Sequence, residues 1–274
     1  MTRIAIWFSC GAASAVAAKL ILSEQPDAVV AYCETGIEHP DNERFMADCV
    51  RWFNVPIKRL SNPEYADTWD VWEQRRYIAG IAGAPCTGAL KKQPRIAFQQ
   101  PGDTHVFGYT ADSEDVERAD RFRQHNPELL VRFPLIERGI TKQACLAMLQ
   151  SAGIELPPMY ALGFQNNNCI PCPKATSPNY WAAMRLHFPA EFARMVALSR
   201  ELGARLARMP GDVRVFIDEV PADWPTLNPI APACDFLCHI AEQDLRDNEK
   251  AAADTKPTAA SLDVHHRGED ASNG

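Results

Sequence analysis

Cys169 and Cys172, three positions apart, are the thiols in this 274-residue chain best spaced for shared chemistry. A C-x-x-C loop can place two sulfurs on one centre, and Pro171 and Pro173 fix the backbone around them. Thiolates suit soft and borderline metals. The pair therefore reads as ligands of zinc or of an iron–sulfur cluster, as a redox dithiol, or as packing cysteines. The three asparagines 166–168 can donate N–H groups to the sulfurs. A second candidate is the run Ser9-Cys10-Gly11-Ala12-Ala13-Ser14, which joins an apolar stretch to an alanine-rich helix. Small residues let a ligand approach the backbone, and free N–H groups with the helix dipole favour an anion such as phosphate. The Ser9 and Ser14 hydroxyls can add hydrogen bonds. The same residues also suit a tight turn that merely packs. The run lacks the Lys of the G-x-x-x-x-G-K-S/T loop and the three glycines of the dinucleotide fingerprint, which argues against ordinary nucleoside triphosphatase or NAD use.

The elements around these residues alternate. Arg3–Phe8 predicts a buried strand, Ala13–Ser23 a helix, and Ala28–Cys33 a second strand. A helix capped by Asp41 or Asn42 puts Phe45, Cys49 and Trp52 on one face, and Ile57–Leu60 is a third strand. This β-α-β-α-β order implies an α/β fold with a doubly wound, mostly parallel sheet. Further strands are expected at His105–Tyr109 and Leu129–Pro134, and a helix at Thr141–Ser151. Residues 154–180 read as a loop region and Tyr180–Arg208 as helical with a break at Phe188-Pro189. Ligands of such sheets bind at the carboxyl ends of the strands. Glu34, Thr35, Gly36 and Glu38 follow the second strand, and Tyr109, Thr110, Asp112 and Ser113 the fourth. Glu34 can bond a ribose hydroxyl or simply belong to a charged loop. Arg118, Arg121 and Arg123 can bind phosphate or sulfate, or pair with Glu114, Asp115, Glu117 and Asp120 on a solvated face. Lys91 and Lys92 suit an anion or solvent equally. Cys49 and Cys145 read as core, Cys33 as packing or a residue beside the nucleotide, Cys10 as a small loop filler or a thiol whose pKa the helix N-terminus lowers, and Trp52, Trp69, Trp72 and Tyr77 as packing between elements.

Composition bounds the rest. Apolar residues make up 46%, charged residues 23%, and the net charge is −7. Residues 242–274 hold eight acidic and four basic residues, so the body is near neutral and not a whole-surface nucleic-acid binder. No run of about 18 apolar residues predicts a membrane span, and Met1–Gly11 does not read as a secretory signal. Nine cysteines without such a signal suggest a reducing, cytoplasmic setting. The expected division is a nucleotide-binding domain over 1–153, a Cys-containing loop and helical region over 154–241, and a disordered acidic tail over 242–274.

Taken in order, the motifs resemble a known family. The Ser9–Ser14 loop is similar to the S-G-G-x-D-S phosphate loop of the adenine-nucleotide α-hydrolase-like, or PP-loop, superfamily, and more closely to the phosphoadenosine phosphosulfate (PAPS) reductase family. Glu34-Thr35-Gly36-Ile37-Glu38-His39-Pro40-Asp41 is similar to its D-T-G-x-x-x-P-E stretch. Cys86-Thr87-Gly88-Ala89-Leu90-Lys91 stands where the family has a Cys-Cys-x-x-x-K element. Gly108–Ser113 with Arg118 or Arg121 looks like G-x-R-x-x-E-S-x-x-R. Phe133-Pro134-Leu135, Gly163 and Cys169-Ile170-Pro171-Cys172-Pro173 match a P-L … G-C-x-x-C-P ending. Together these span residues 1–185. Three features depart from the family: Cys10 replaces the loop's second Gly, Ala13 replaces its Asp, and Pro85 leaves Cys86 without a paired thiol.

The resemblance implies an adenine nucleotide, ATP or a sulfonucleotide, held by Ser9, Cys10, Gly11, Ala12, Ser14, Glu34, Thr35, Gly36, Tyr109, Thr110, Arg118 and Arg121. It adds Cys86 to Cys169 and Cys172 as ligands of a [4Fe–4S] cluster with an open iron. Alternatively Cys234, Cys238 or a His completes a set of four, for which zinc would be a closed structural site. The activity implied is sulfur or redox chemistry on a sulfonucleotide or adenylated substrate, with a thiol electron donor. Cys234 or Cys238 stands as nucleophile, because Cys234–His239 is the nearest candidate for the family's E-C-G-x-H element. Two alternatives remain. One is ATP-dependent thiolation of a nucleobase or tRNA, which the Ala13 substitution and the acidic balance disfavour. The other is a zinc-stabilised nucleotide-binding protein without catalysis.

Overall fold

The computed structural model describes residues 2–234 and 236–254. Five parallel strands form its central sheet: β1 (Ile4–Phe8), β2 (Val29–Cys33), β3 (Ile57–Leu60), β4 (Thr104–Phe107) and β5 (Leu130–Arg132), in the order β3-β2-β1-β4-β5. Strand β1 is central because both its edges are paired: Ala5 lies opposite Val29 on β2 and opposite His105 on β4. Its sequence IAIWF is accordingly almost wholly apolar, as a strand covered on both faces requires. The order reverses between β1 and β4. Such a switch point leaves a crevice at the carboxyl ends of the strands.

Helices α1 (Ala12–Glu24), α2 (Asn42–Phe53), α3 (Thr68–Arg75), α4 (Gln93–Phe98), α5 (Ser113–His125), α6 (Pro134–Glu137) and α7 (Lys142–Ser151) cover this sheet or lead from it. Helix α1 is buried nearly all round, which its alanines permit, since they let β1, α7 and the last helix approach closely. Thr141 caps α7 as expected, its Oγ1 accepting from Ala144 N at 3.3 Å. Beyond α7, a short α8 (Pro158–Ala161), α9 (Pro178–His187) and α10 (Pro189–Glu201) precede an antiparallel pair, β6 (Ala207–Met209) and β7 (Val213–Val215). Trp69, Trp72, Phe164, Trp181, Met184 and Met195 form a second apolar core there.

Two expectations need correction. The helical stretch to Arg208 ends at Glu201, and the chain then turns into β6. The acidic segment from 242 begins as helix: α11 runs over Phe236–Asp254. Its apolar positions are few, but Cys238, Ala241 and Leu245 fall on one face and join the core beside α1. Lys19 reaches Glu249 at 2.7 Å across the same contact. Tertiary packing thus makes a helix of a stretch whose composition is mostly polar; 255–274 lie outside the described residues.

Candidate nucleotide and thiol site

The phosphate-loop candidate occupies the switch point. Cys10 takes a left-handed conformation, φ 58°, and Gly11 then enters α1 as its N-cap. Ser14 closes the turn on itself: its Oγ accepts from Ser9 N at 3.0 Å and donates to Gly11 O at 2.9 Å. Two long-range contacts hold the loop from behind. Ala12 N donates to the Tyr160 hydroxyl at 2.9 Å, and Asn167 Nδ2 donates to Cys10 O at 2.6 Å and to Asn42 Oδ1 at 2.7 Å. The following first-turn amides belong to the helix end that has no intrahelical acceptors. Across the crevice, Gly108 follows the end of β4. A Cβ there would stand 2.7 Å from Ser14 N and Cα, so only glycine lets the two loops meet.

The cleft so formed has a volume of about 350 Å³, and Ser9, Gly11, Ala13 and Ser14 form its loop wall. Lys91, Arg95, Arg118 and Lys142 give it four cations against Glu38 and Asp115, and Trp7, Phe107 and Tyr109 give it aromatic surface. This lining suits a polyanion attached to a flat ring. Arg118 is aimed by its neighbours: its Nη1 donates to Asp115 Oδ1 at 2.6 Å, and its guanidinium lies 5.1 Å from the Tyr109 ring centre. Burial lowers the pKa of Lys142, whose Nζ donates to Asn166 Oδ1 at 2.6 Å and Gln165 O at 3.1 Å.

A second cavity, about 740 Å³, adjoins the first and is lined by Cys86, Cys169 and Cys172 together. Lys91, Arg118, Asn166, Asn168 and Cys169 line both. Cys86 arrives through a turn of π-helix, Thr87–Lys92, with Cys86 at its N-cap and Gln93 N bonded to Gly88 O five residues back. That wide turn brings positions five apart onto one side, so Cys86 and Lys91 face the same cavity. The C-x-x-C loop is tied to the 34–41 segment by Ile170 N donating to Ile37 O at 2.7 Å, and Cys172 N donates to the Tyr180 hydroxyl at 2.6 Å. Cys169 Sγ lies 2.9 Å from Thr35 Oγ1, which also contacts Glu38. Burial pushes the Cys169 and Cys33 thiols up to about 11 and raises Cys86 as well. Burial opposes the charge on Lys91, but Cys169, Cys172, Glu38 and Cys86 outweigh it and raise its pKa.

A family model, the phosphoadenosine phosphosulfate reductase domain, matches residues 3–175. The chain belongs to that family. No curated protein matches it. The matched PAPS reductase domain contains the five-stranded sheet, the whole lining of the first cleft and the three thiols of the second cavity, Cys86, Cys169 and Cys172, whose wall is completed by Thr176, Ser177, Tyr180 and Leu227 beyond the matched span.

Within this PAPS reductase domain the expected site residues separate. Ser9, Gly11, Ser14, Tyr109 and Arg118 line the cleft. Cys10 and Ala12 are fully buried behind it; burial pushes the Cys10 thiol up to about 12, so it fills the loop and is no reactive thiolate. Thr35 and Gly36 lie beyond the cleft wall, in a hollow with Glu34. Glu34 itself pairs with Arg59 at 2.7 Å on the surface. Thr110 is buried, its hydroxyl 2.8 and 2.9 Å from Asp112 and Asp115. Arg121 pairs with Glu117 at 3.5 Å along α5 and faces solvent.

Cys234 and Cys238 line neither cavity; they are bonded to one another as a disulfide ahead of and within the first turn of α11. Neither thiol therefore shares a cavity with Cys86, Cys169 and Cys172, as a nucleophile or fourth ligand there would have to; α11 packs instead against α1. Asn167 bonds the loop carbonyl in place of a sulfur. Tyr160, Asn167, Lys142 and Arg95 were not visible as site residues in the sequence. Only the asparagine triplet carried a signal, and it pointed at the wrong acceptor.

Proposed function

We propose that this chain binds an adenine nucleotide in the β1/β4 crevice and carries out sulfur or redox chemistry on a sulfonucleotide or adenylated substrate beside a thiolate-held centre. The observation that carries this reading is the shared wall. Lys91, Arg118 and Cys169 face both the phosphate-loop cleft and the three-thiol cavity, so a phosphate or sulfate in the first ends next to sulfur in the second. The cations neutralise the oxyanion, and Tyr109 and Trp7 offer ring surface to a base.

Cys86, Cys169 and Cys172 fit an iron–sulfur centre better than a single ion. Among the described residues their sulfurs are not gathered within 4.8 Å of one another, whereas one tetrahedral zinc needs thiolates about 3.8 Å apart. Their cavity is roomy and carries Lys91 and Lys174 to offset thiolate charge. Bound there, a [4Fe–4S] cluster would supply an iron with one position free of protein sulfur. Lys91 holds its proton and positions the substrate's anionic group. Thr35 fixes Cys169. Reduction would draw on a small-thiol or dithiol donor.

The test is anaerobic purification of the full chain, followed by its absorption spectrum, iron, sulfide and zinc analysis, and assay of sulfite release from a sulfonucleotide with a dithiol. Iron and sulfide in cluster ratio with nucleotide-dependent turnover support the proposal. A colourless protein with one zinc and no turnover supports the non-catalytic alternative and defeats it.

A further inference from the structure

Away from the cleft, soft and hard donors meet at the start of α11. We propose that Cys234, Cys238 and Glu242 form a zinc-type divalent metal site in the reduced chain, of which the Cys234–Cys238 disulfide is the metal-free, oxidised form. Cys238 and Glu242 are four residues apart on α11, about one helical turn, so their side chains share a face, and Cys234 ahead of the helix is joined to Cys238. Their ligand atoms all lie within 4.8 Å of one another, and they are the group among the described residues that does so. Glu242 supplies an independent observation. Its Oε1 is buried without a hydrogen-bond partner, and its Oε2 has Arg246 Nη1 no nearer than 3.9 Å. A buried carboxylate oxygen in that state is costly unless a cation satisfies it.

Two thiolates and a carboxylate make a three-protein-ligand tetrahedral set, with water as the fourth ligand. Cys238 is buried and Cys234 exposed, so the site is anchored on the core side and open to solvent on the other. The same exposure admits an oxidant. With a small disulfide such as oxidised glutathione, the two thiolates give up two electrons and join as one S–S bond. The small disulfide takes those electrons and leaves as two thiolates, and the divalent ion is released. None of the three residues lines the nucleotide or thiol cavity, so this site stands apart from the function proposed above.

The test maps alkylation in the full, reduced chain, with Zn²⁺ alone as the probe. Peptide masses after iodoacetamide report each cysteine separately, which removes interference from Cys86, Cys169 and Cys172. Zinc is expected to slow alkylation of Cys234 and Cys238 about tenfold or more. Glu242→Gln is expected to raise the zinc concentration needed by a similar factor, while still forming the disulfide with oxidised glutathione and keeping the parent circular dichroism spectrum. Alkylation of Cys234 at one rate with and without zinc would overturn the proposal. So would a Glu242→Gln chain that is protected at the parent's zinc concentration.

Discussion

Replacing Gly108 with alanine tests whether the crevice depends on close approach of two backbones. The added Cβ would sit 2.7 Å from Ser14 N and Cα and 2.9 Å from Ala13 C. Comfortable carbon contacts begin near 3.5 Å, so β4 and the N-terminus of α1 must part by about 0.8 Å. No flexible side chain can yield, because all three atoms are backbone. Overpacking of this kind costs about 1–3 kcal/mol, and the absence of a soft neighbour places the cost near 2 kcal/mol or above. For a chain of this size that lowers Tm by about 4–8 °C. The same displacement moves the loop amides away from a bound phosphate, and a loss near 1.4 kcal/mol of contact is about tenfold in affinity. Thermal unfolding and calorimetric titration with ATP measure the two effects. Gly88→Ala is the control, because its Cβ would meet no heavy atom within 4 Å. A Gly108→Ala chain that melts and binds as Gly88→Ala and the parent do would show that the crevice does not depend on this backbone contact.

Tyr160→Phe removes the acceptor of Ala12 N and is expected to cost about 1–2 kcal/mol in urea unfolding, with a weakened nucleotide titration. Cys86→Ser, Cys169→Ser and Cys172→Ser should each lower iron content in anaerobically purified protein, whereas Cys49→Ser should leave it unchanged. Asp103 is a pH probe of the fold. Arg3 bonds it at 2.6 and 2.9 Å and holds its carboxyl below the ordinary value of 3.8. A depressed folded value means that its stabilisation is complete above 3.8 and is lost as pH falls through the folded value. Asp103→Asn should therefore cost about 1.5–3 kcal/mol at pH 7 and show a shallower loss of stability below pH 4 than the parent.

The sheet and its loop were legible because their signals are local. The runs at Arg3–Phe8 and Ala28–Cys33 are apolar without interruption, and a strand, small-residue turn and helix in that order leave one geometry for the loop. The thiol trio was legible only through the resemblance, since nothing between Cys86 and Cys169 indicates that a π-helical turn brings the former to the C-x-x-C loop. Orientation past a strand end was harder. Alternation sends Cys33 into the cleft and Glu34 to the surface with Arg59, the reverse of the roles their chemistry suggested. Tyr160 and Asn167 act through partners 148 and 157 residues away, a relation no local pattern carries. The same holds for Cys234 and Cys238, whose place in the fold is set by the docking of α11 on α1.

On the proposed function, a nucleotide in the switch-point crevice lies against Cys169 and Cys33 while Cys172 and Cys86 stand beyond it. Residue-resolved thiol alkylation of the metal-free, reduced chain, with and without saturating ATP or adenosine phosphosulfate, measures this directly. Protection of Cys33 and Cys169, with Cys86 and Cys172 still labelled, is the expected result. An unchanged labelling pattern at nucleotide saturation, or protection confined to Cys86 and Cys172, would contradict it.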